Sequence, residues 1–245
     1  MNAANTLKKL GIEQTFNYIY KDPDKNMKKM MDWADKFSQG QFPSQRKMIR
    51  EAIENPEHPY YPYIQKLFKD VDPHVTKTLA VNFFINAALT GWPKEEKLRQ
   101  KYNCNIPWAI LLDPTSACNL HCTGCWAAEY GHKLNLTYDE IDDIICQGKE
   151  LGVYMYIYTG GEPLVRKKDL IKLCEKHSDC VFLCFTNATL IDEDFANEML
   201  RVGNLVPAIS LEGFEEATDD RRGNGVYQKV IDAMELLRKK KLIYG

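Results

Sequence analysis

The sequence predicts an α/β fold preceded by an α-helical region, and three observations carry this. Residues 1 to about 100 place apolar side chains at helical spacing. From about residue 105, short apolar runs alternate with amphipathic helices in four strand–helix units. The residues best suited to chemistry stand just after the strands, which is the functional edge of α/β folds. Such units in series imply parallel strands joined by right-handed crossovers, in an open sheet or an α/β barrel. The boundary is drawn between 104 and 105, giving a helical region 1–104 and a core 105–245.

Leu7, Leu10 and Ile12 begin the first apolar pattern. Met27, Met30, Met31, Ala34 and Phe37 fall on one helix that Gly40 ends, and Ile49 and Ile53 on another that stops at Asn55-Pro56. Residues 57–63, with Pro59 and Pro62, read as a connector. A further helix through Val75, Leu79, Phe83 and Ala87 is closed by Gly91-Trp92-Pro93, and the methionine and aromatic stripes read as core.

In the core, Trp108 to Leu112 reads as a buried strand leading into a cysteine-rich loop. Thr137 to Glu140 is a capping box, followed by a helix lined by Ile141, Ile144, Ile145, Gly148 and Leu151. Val153 to Tyr158 is the second strand, ending at Gly160-Gly161, and a helix through Leu170, Ile171 and Cys174 follows. Val181 to Phe185 is the third strand. Asp192 caps a helix carrying Phe195, Met199 and Leu200, with Gly203 past its end. Val206 to Leu211 is the fourth strand, and Val226, Val230, Ala233, Met234 and Leu237 mark the next helix.

The net charge of −2 and pI near 6.2 argue against a general nucleic-acid binder, and the lysine runs read as solvated helix faces. The first residues lack the apolar run of a signal peptide, and the longest apolar patch, Leu79 to Leu89, is shorter than the roughly 20 residues of a membrane span. A soluble cytoplasmic protein is expected, with no membrane partner. Eight cysteines in a chain of this size, three of them tightly clustered, read as metal-binding or catalytic in a reducing compartment.

Cys118, Cys122 and Cys125 form Cys-x3-Cys-x2-Cys. Three thiolates in one loop can converge on one metal centre and leave a position open, which is what catalysis needs. A structural zinc site using these cysteines with His121 or another ligand is the alternative. Further on stand Thr159-Gly160-Gly161-Glu162-Pro163, then Thr186-Asn187, then Ser210-Leu211-Glu212-Gly213 with Arg222-Gly223 behind it. Each of these has a plain reading as a turn or solvated loop.

Taken together and in this order, these segments resemble the radical S-adenosylmethionine (SAM) superfamily, in the subgroup whose longer members carry extra clusters in a C-terminal extension. The resemblance covers roughly residues 105–245 and implies a partial (β/α) barrel. It implies that Cys118, Cys122 and Cys125 hold a [4Fe–4S] cluster whose open iron chelates SAM. Reductive cleavage would then release a 5′-deoxyadenosyl radical for hydrogen abstraction. By the same resemblance Gly160, Gly161 and Glu162 hold the methionine end of SAM, Asn187 and Ser210 contact it, and Arg222 pairs with its carboxylate. Arg221 is a second candidate for that pairing, and Glu212 stands where the family usually has Asp. The family's aromatic before the third cysteine is here Gly124, so Trp126 is the candidate for packing on the adenine. The implied partners are a peptide or small-molecule substrate and an electron donor such as flavodoxin or ferredoxin.

Cys104, Cys146, Cys174, Cys180 and Cys184 read as ordinary thiols beside helix and strand patterns. Residues 241–245 look like the start of a fifth strand, where the family's barrel has six units. The expectation is a truncated product, or a short form completed by a partner, with an exposed sheet edge; a non-catalytic metal-binding protein or an inactive fragment is the alternative to an enzyme.

Overall fold

The computed structural model describes residues 14–37, 40, 42–127, 131 and 133–245. The pattern at Leu7, Leu10 and Ile12 lies outside them. The chain divides into two compact units, one ending at Lys77 and the other running from Thr78 to Gly245.

The first unit is helical: α1 (Pro23–Phe37), α2 (Pro43–Glu54), α3 (Tyr61–Lys69) and the start of α4 (Pro73–Ala80). Ile19, Met27, Met31 and Ile53 are buried together, and Ile49, Ile64 and Phe68 pack on them. The expected connector at 57–63 is shorter than the sequence suggests. Pro62 stands in the first turn of α3, where its missing N–H costs no hydrogen bond, so it starts the helix rather than blocking it.

The second unit opens with a π-helix (Val81–Gly91) that runs directly into α5 (Trp92–Tyr102). Gly91-Trp92-Pro93 therefore does not close the helix, and Pro93 again occupies a first turn. The widened turn has a visible use. Asn82 donates to the carbonyls of Ser178 and Cys180 at 2.8 Å each, and Asn86 to that of Asp179 at 2.9 Å, so both amides grip one tight turn. Among the described residues no helix is long and apolar enough to cross a membrane.

The core follows the predicted alternation: β1 (Ile110–Leu112), α6 (Tyr138–Leu151), β2 (Met155–Tyr158), a 3₁₀ turn (Pro163–Arg166), α7 (Lys167–Lys176), β3 (Val181–Thr186), α8 (Glu193–Val202), β4 (Leu205–Ile209), α9 (Glu215–Arg222) and α10 (Val226–Lys239). The four strands are parallel in the order β1-β2-β3-β4. The caps expected from sequence are in place. Thr137 and Glu140 form a complete capping box, Asp192 accepts from the N–H of Phe195 at 2.8 Å, and Gly203 ends α8 at φ 71°. The short helix α9 was not expected from the sequence.

The two sheet faces differ. Leu112, Tyr158, Cys184 and Pro207 lie in register and are buried. In the neighbouring row, Leu111, Ile157, Leu183 and Val206 are all partly exposed, Leu111 by 61%. The expectation that the first strand is buried is thus corrected: β1 is an edge strand with one face open. Within the buried layer the Phe182 ring stacks between Tyr156 and Tyr158, with centroids 5.8 and 5.5 Å away. At the other edge, Gly245 donates to the carbonyl of Pro207 at 3.0 Å and accepts from the N–H of Ile209 at 2.7 Å. That alternation is the parallel ladder expected of residues 241–245, although no full strand forms there.

Candidate functional site

The loop between β1 and α6 is closed at its neck. Thr115 and Asn135 form an antiparallel bridge, and the N–H of Ser116 donates to the carbonyl of Leu134 at 2.8 Å. Arg166 spans the neck, donating to the carbonyl of Pro114 at 2.9 Å and to that of Leu136, while Asp169 holds its guanidinium from the other side at 2.8 Å. Cys118, Cys122 and Cys125 are all half-buried inside this loop.

The Gly-Gly-Glu turn after β2 lies against the entry to that loop. The N–H of Gly161 donates to the carbonyl of Thr115 at 2.9 Å, and that of Glu162 to the carbonyl of Ala117 at 2.8 Å. A Cβ on Gly161 would stand 2.3 Å from the Ala117 oxygen, and one on Gly160 would stand 2.8 Å from the Thr115 oxygen. The close approach that the two glycines permit is thus made, first, by the chain's own backbone on its way to the cysteines.

Glu162 is almost fully buried, and its carboxylate accepts three hydrogen bonds: from the N–H of Leu164 at 2.9 Å, the hydroxyl of Thr186 at 2.7 Å and the N–H of Asn187 at 2.7 Å. Burial raises its pKa, and these three donors oppose the rise. The carboxylate therefore ties the end of β2 to the end of β3. Asn187 extends the chain of contacts by donating to Asn119, inside the cysteine loop, at 2.9 Å. Ala188, standing in the family's glycine position, adopts φ 61°, a left-handed conformation that a glycine takes without strain.

The fourth strand end supplies Ser210, whose N–H donates to the carbonyl of Thr186 at 2.9 Å. Beyond it, Glu212 accepts from Arg222 at 2.5 Å and from Arg221 at 2.7 Å, and the two guanidiniums hold its carboxyl below the usual range. The N–H of Thr123 donates to the carbonyl of Arg221 at 2.8 Å, joining the cysteine loop to α9. Burial pushes the thiols of Cys118 and Cys122 up, while Arg222 and Arg221 pull Cys122 back.

Trp126, Gly160 and Gly161 share a cavity of about 430 Å³ with Asp113, Ser116 and Leu136, a volume suited to a small organic ligand. The predicted residues thus fall into three linked groups at the strand ends. Trp126 and the glycines line the cavity, Glu162 and Asn187 form a buried network, and Glu212 with Arg222 lies beside Cys122. Thr115, Asn119, Thr186 and Arg166 complete the frame. Of these only Thr186 stood out in the sequence, because the partners of the others are distant in the chain.

The donor set fits an iron–sulfur cluster. Burial raises the thiols of Cys118 and Cys122, and the neighbouring thiolates of the same loop add to the rise, so a bound cation would favour the deprotonated ligands.

The model of the Radical SAM superfamily matches residues 112–244. The chain is 34% identical over 120 residues to the PqqA peptide cyclase of Bradyrhizobium diazoefficiens, covering 47% of this chain and 31% of that protein. It is 29% identical over 141 residues to the AdoMet-dependent heme synthase of Methanosarcina barkeri, covering 55% of this chain and 40% of that protein. The chain thus spans about a third of the length of the curated relatives it matches. Among solved structures, Streptococcus suis SuiB bound to S-adenosylmethionine superposes with a TM-score of 0.51 at 21% identity, covering 71% of this chain and 37% of that one. This likeness shows the fold, so the parallel sheet with its helices is part of a partial barrel of that type. With more than half of its length matched, the chain belongs to the radical SAM superfamily.

Proposed function

We propose that this chain carries the cluster and cofactor site of a radical SAM enzyme, with Cys118, Cys122 and Cys125 as the protein ligands of a [4Fe–4S] cluster. Enzymes of the superfamily use such a cluster and SAM. When bound, the reduced cluster supplies the electron for reductive cleavage of SAM, and the cleavage serves hydrogen abstraction from a substrate.

The observation that carries the reading is the pair of hydrogen bonds from Gly161 and Glu162 to Thr115 and Ala117. They set the Gly-Gly-Glu turn directly against the cysteine loop, so a ligand lying along that turn also reaches the loop. Gly160 and Gly161 line the cavity floor for the methionine end of SAM, and Trp126 offers an aromatic wall for the adenine. Glu162 and Asn187 keep the turn and the loop in register, and Ser210 places the fourth strand end beside them. Arg222, already oriented by Glu212, offers a guanidinium for a carboxylate. The substrate is a peptide or a small molecule, in keeping with the peptide cyclase and the heme synthase among the relatives. A flavodoxin or ferredoxin would deliver the electron, in the reducing cytoplasm that keeps the thiols free.

Electron paramagnetic resonance of the anaerobically reconstituted, dithionite-reduced protein tests this. A cubane signal that changes on adding SAM, and that is lost in Cys122→Ser, is the expected result. Absence of a cubane signal, or a signal indifferent to SAM, would overturn the joint cluster and cofactor assignment.

A further inference from the structure

We propose that Asp142, Cys146 and His177 form a second metal site, taking a divalent transition metal of the zinc class between α6 and α7. Asp142 and Cys146 are four residues apart on α6 and therefore share one face. His177 lies at the C-terminus of α7. A carboxylate oxygen, a sulfur and a ring nitrogen of the three all lie within 4.8 Å of one another. Carboxylate, thiolate and imidazole are the donor types that zinc takes, and three protein donors leave the fourth tetrahedral position to water.

Asp142 and His177 are buried while Cys146 is exposed, so an ion reaches the site from the Cys146 side. Without metal, His177 Nε2 lies 2.8 Å from Asp142 Oδ1, and Lys176 Nζ lies 2.7 Å from Oδ2. Metal–ligand bonds of about 2.0–2.2 Å in a tetrahedron require the Asp–His pair to open to roughly 3.4 Å. Side-chain rotation supplies that movement. Lys176 stays on the outer oxygen as the hydrogen-bonding partner that orients a ligating carboxylate. Cys146 gives up its thiol proton on binding, and the proton of His177 moves to Nδ1, leaving a neutral imidazole on the metal. The Asp–His–Lys ion pairing accounts for the two buried groups by itself. The thiol of Cys146 is a third donor type within 4.8 Å of both, which the ion pairing does not use.

The site is independent of the cysteine loop, and its test uses neither SAM nor iron. In the full chain carrying Cys118→Ser, Cys122→Ser and Cys125→Ser, Co²⁺ is expected to bind at one ion per chain with a thiolate-to-cobalt charge-transfer band. Adding Cys146→Ser should abolish that band. A band that never forms, or one that survives Cys146→Ser, overturns the proposal. Because the triple variant risks misfolding, zinc content is also measured in the chain with its native loop, equilibrated against chelator-buffered Zn²⁺. Cys146→Ser is then expected to hold one zinc fewer per chain, and equal zinc in both proteins would overturn the site.

Discussion

The backbone N–H of Thr123 donates to the carbonyl of Arg221 at 2.8 Å, so the cysteine loop is held by the helix whose two arginines share Glu212. This arrangement makes Glu212 a support for the loop rather than a solvated carboxylate. Its folded pKa is lowered, by Arg222 first and Arg221 second. A lowered carboxylate pKa adds stability above the unfolded value near 4.3 and loses it as pH falls through the folded value. Glu212→Gln is expected to cost about 0.5–1 kcal/mol at neutral pH and nothing once the carboxylate is protonated. Urea midpoints at neutral and acidic pH check this, and a gap that persists in acid would contradict it.

Two glycines separate steric from conformational demand. Gly161→Ala would drive a Cβ to 2.3 Å from one backbone oxygen and 2.6 Å from another, so the turn or the loop must move. A loss of about 2–3 kcal/mol and poor iron retention are expected. Gly124→Ala meets no atom within 4 Å but sits at φ 69°, which costs about 1 kcal/mol. Thermal unfolding and iron per chain should rank the two variants in that order.

Glu95 supplies a pH dependence away from the site. Burial, reinforced by Glu96 and opposed by Arg99, pushes its pKa up to about 7. A raised folded pKa means that this stability is complete below the unfolded value and is lost as pH rises through about 7. Glu95→Gln is expected to flatten this loss, gaining on the order of 2 kcal/mol over wild type at pH 8 and little near pH 4.5. Unfolding midpoints at the two pH values measure it, and parallel profiles would refute it.

The remaining cysteines divide by accessibility. Cys174, Cys180 and Cys184 are buried, and burial raises all three pKa values, whereas Cys104 and Cys146 are exposed. Iodoacetamide on the native, metal-free protein should label Cys104 and Cys146 and leave the other three about 100-fold slower until denaturant is added. Peptide mass spectrometry reads the sites directly.

The core strands and helices were legible in the sequence because their signals are local. Thr137 and Glu140 are three residues apart, and Asp192 lies three before Phe195. The cysteine loop and the Gly-Gly-Glu turn were legible for the same reason. What was hidden depends on distant partners. The π-helix follows from Asn82 and Asn86 reaching a turn at 178–180, and the burial of Glu162 from donors on another strand end. Leu111 reads as core by its hydrophobicity, yet the row it shares with Ile157 and Leu183 is the open one. Pro62 reads as part of a connector and Pro93 as a stop, yet each stands in the first turn of a helical segment, since position within a helix decides which role a proline plays.

The neck formed by Thr115, Asn135 and Arg166 bears on how iron is acquired. Bringing distant chain segments together carries an entropy cost that a metal must otherwise meet from its own binding energy. Here protein–protein hydrogen bonds have already closed the loop between Ala117 and Lys133. On the proposed assignment, iron would bind within a segment whose neck is closed beforehand, and the sheet could fold first and be loaded afterwards.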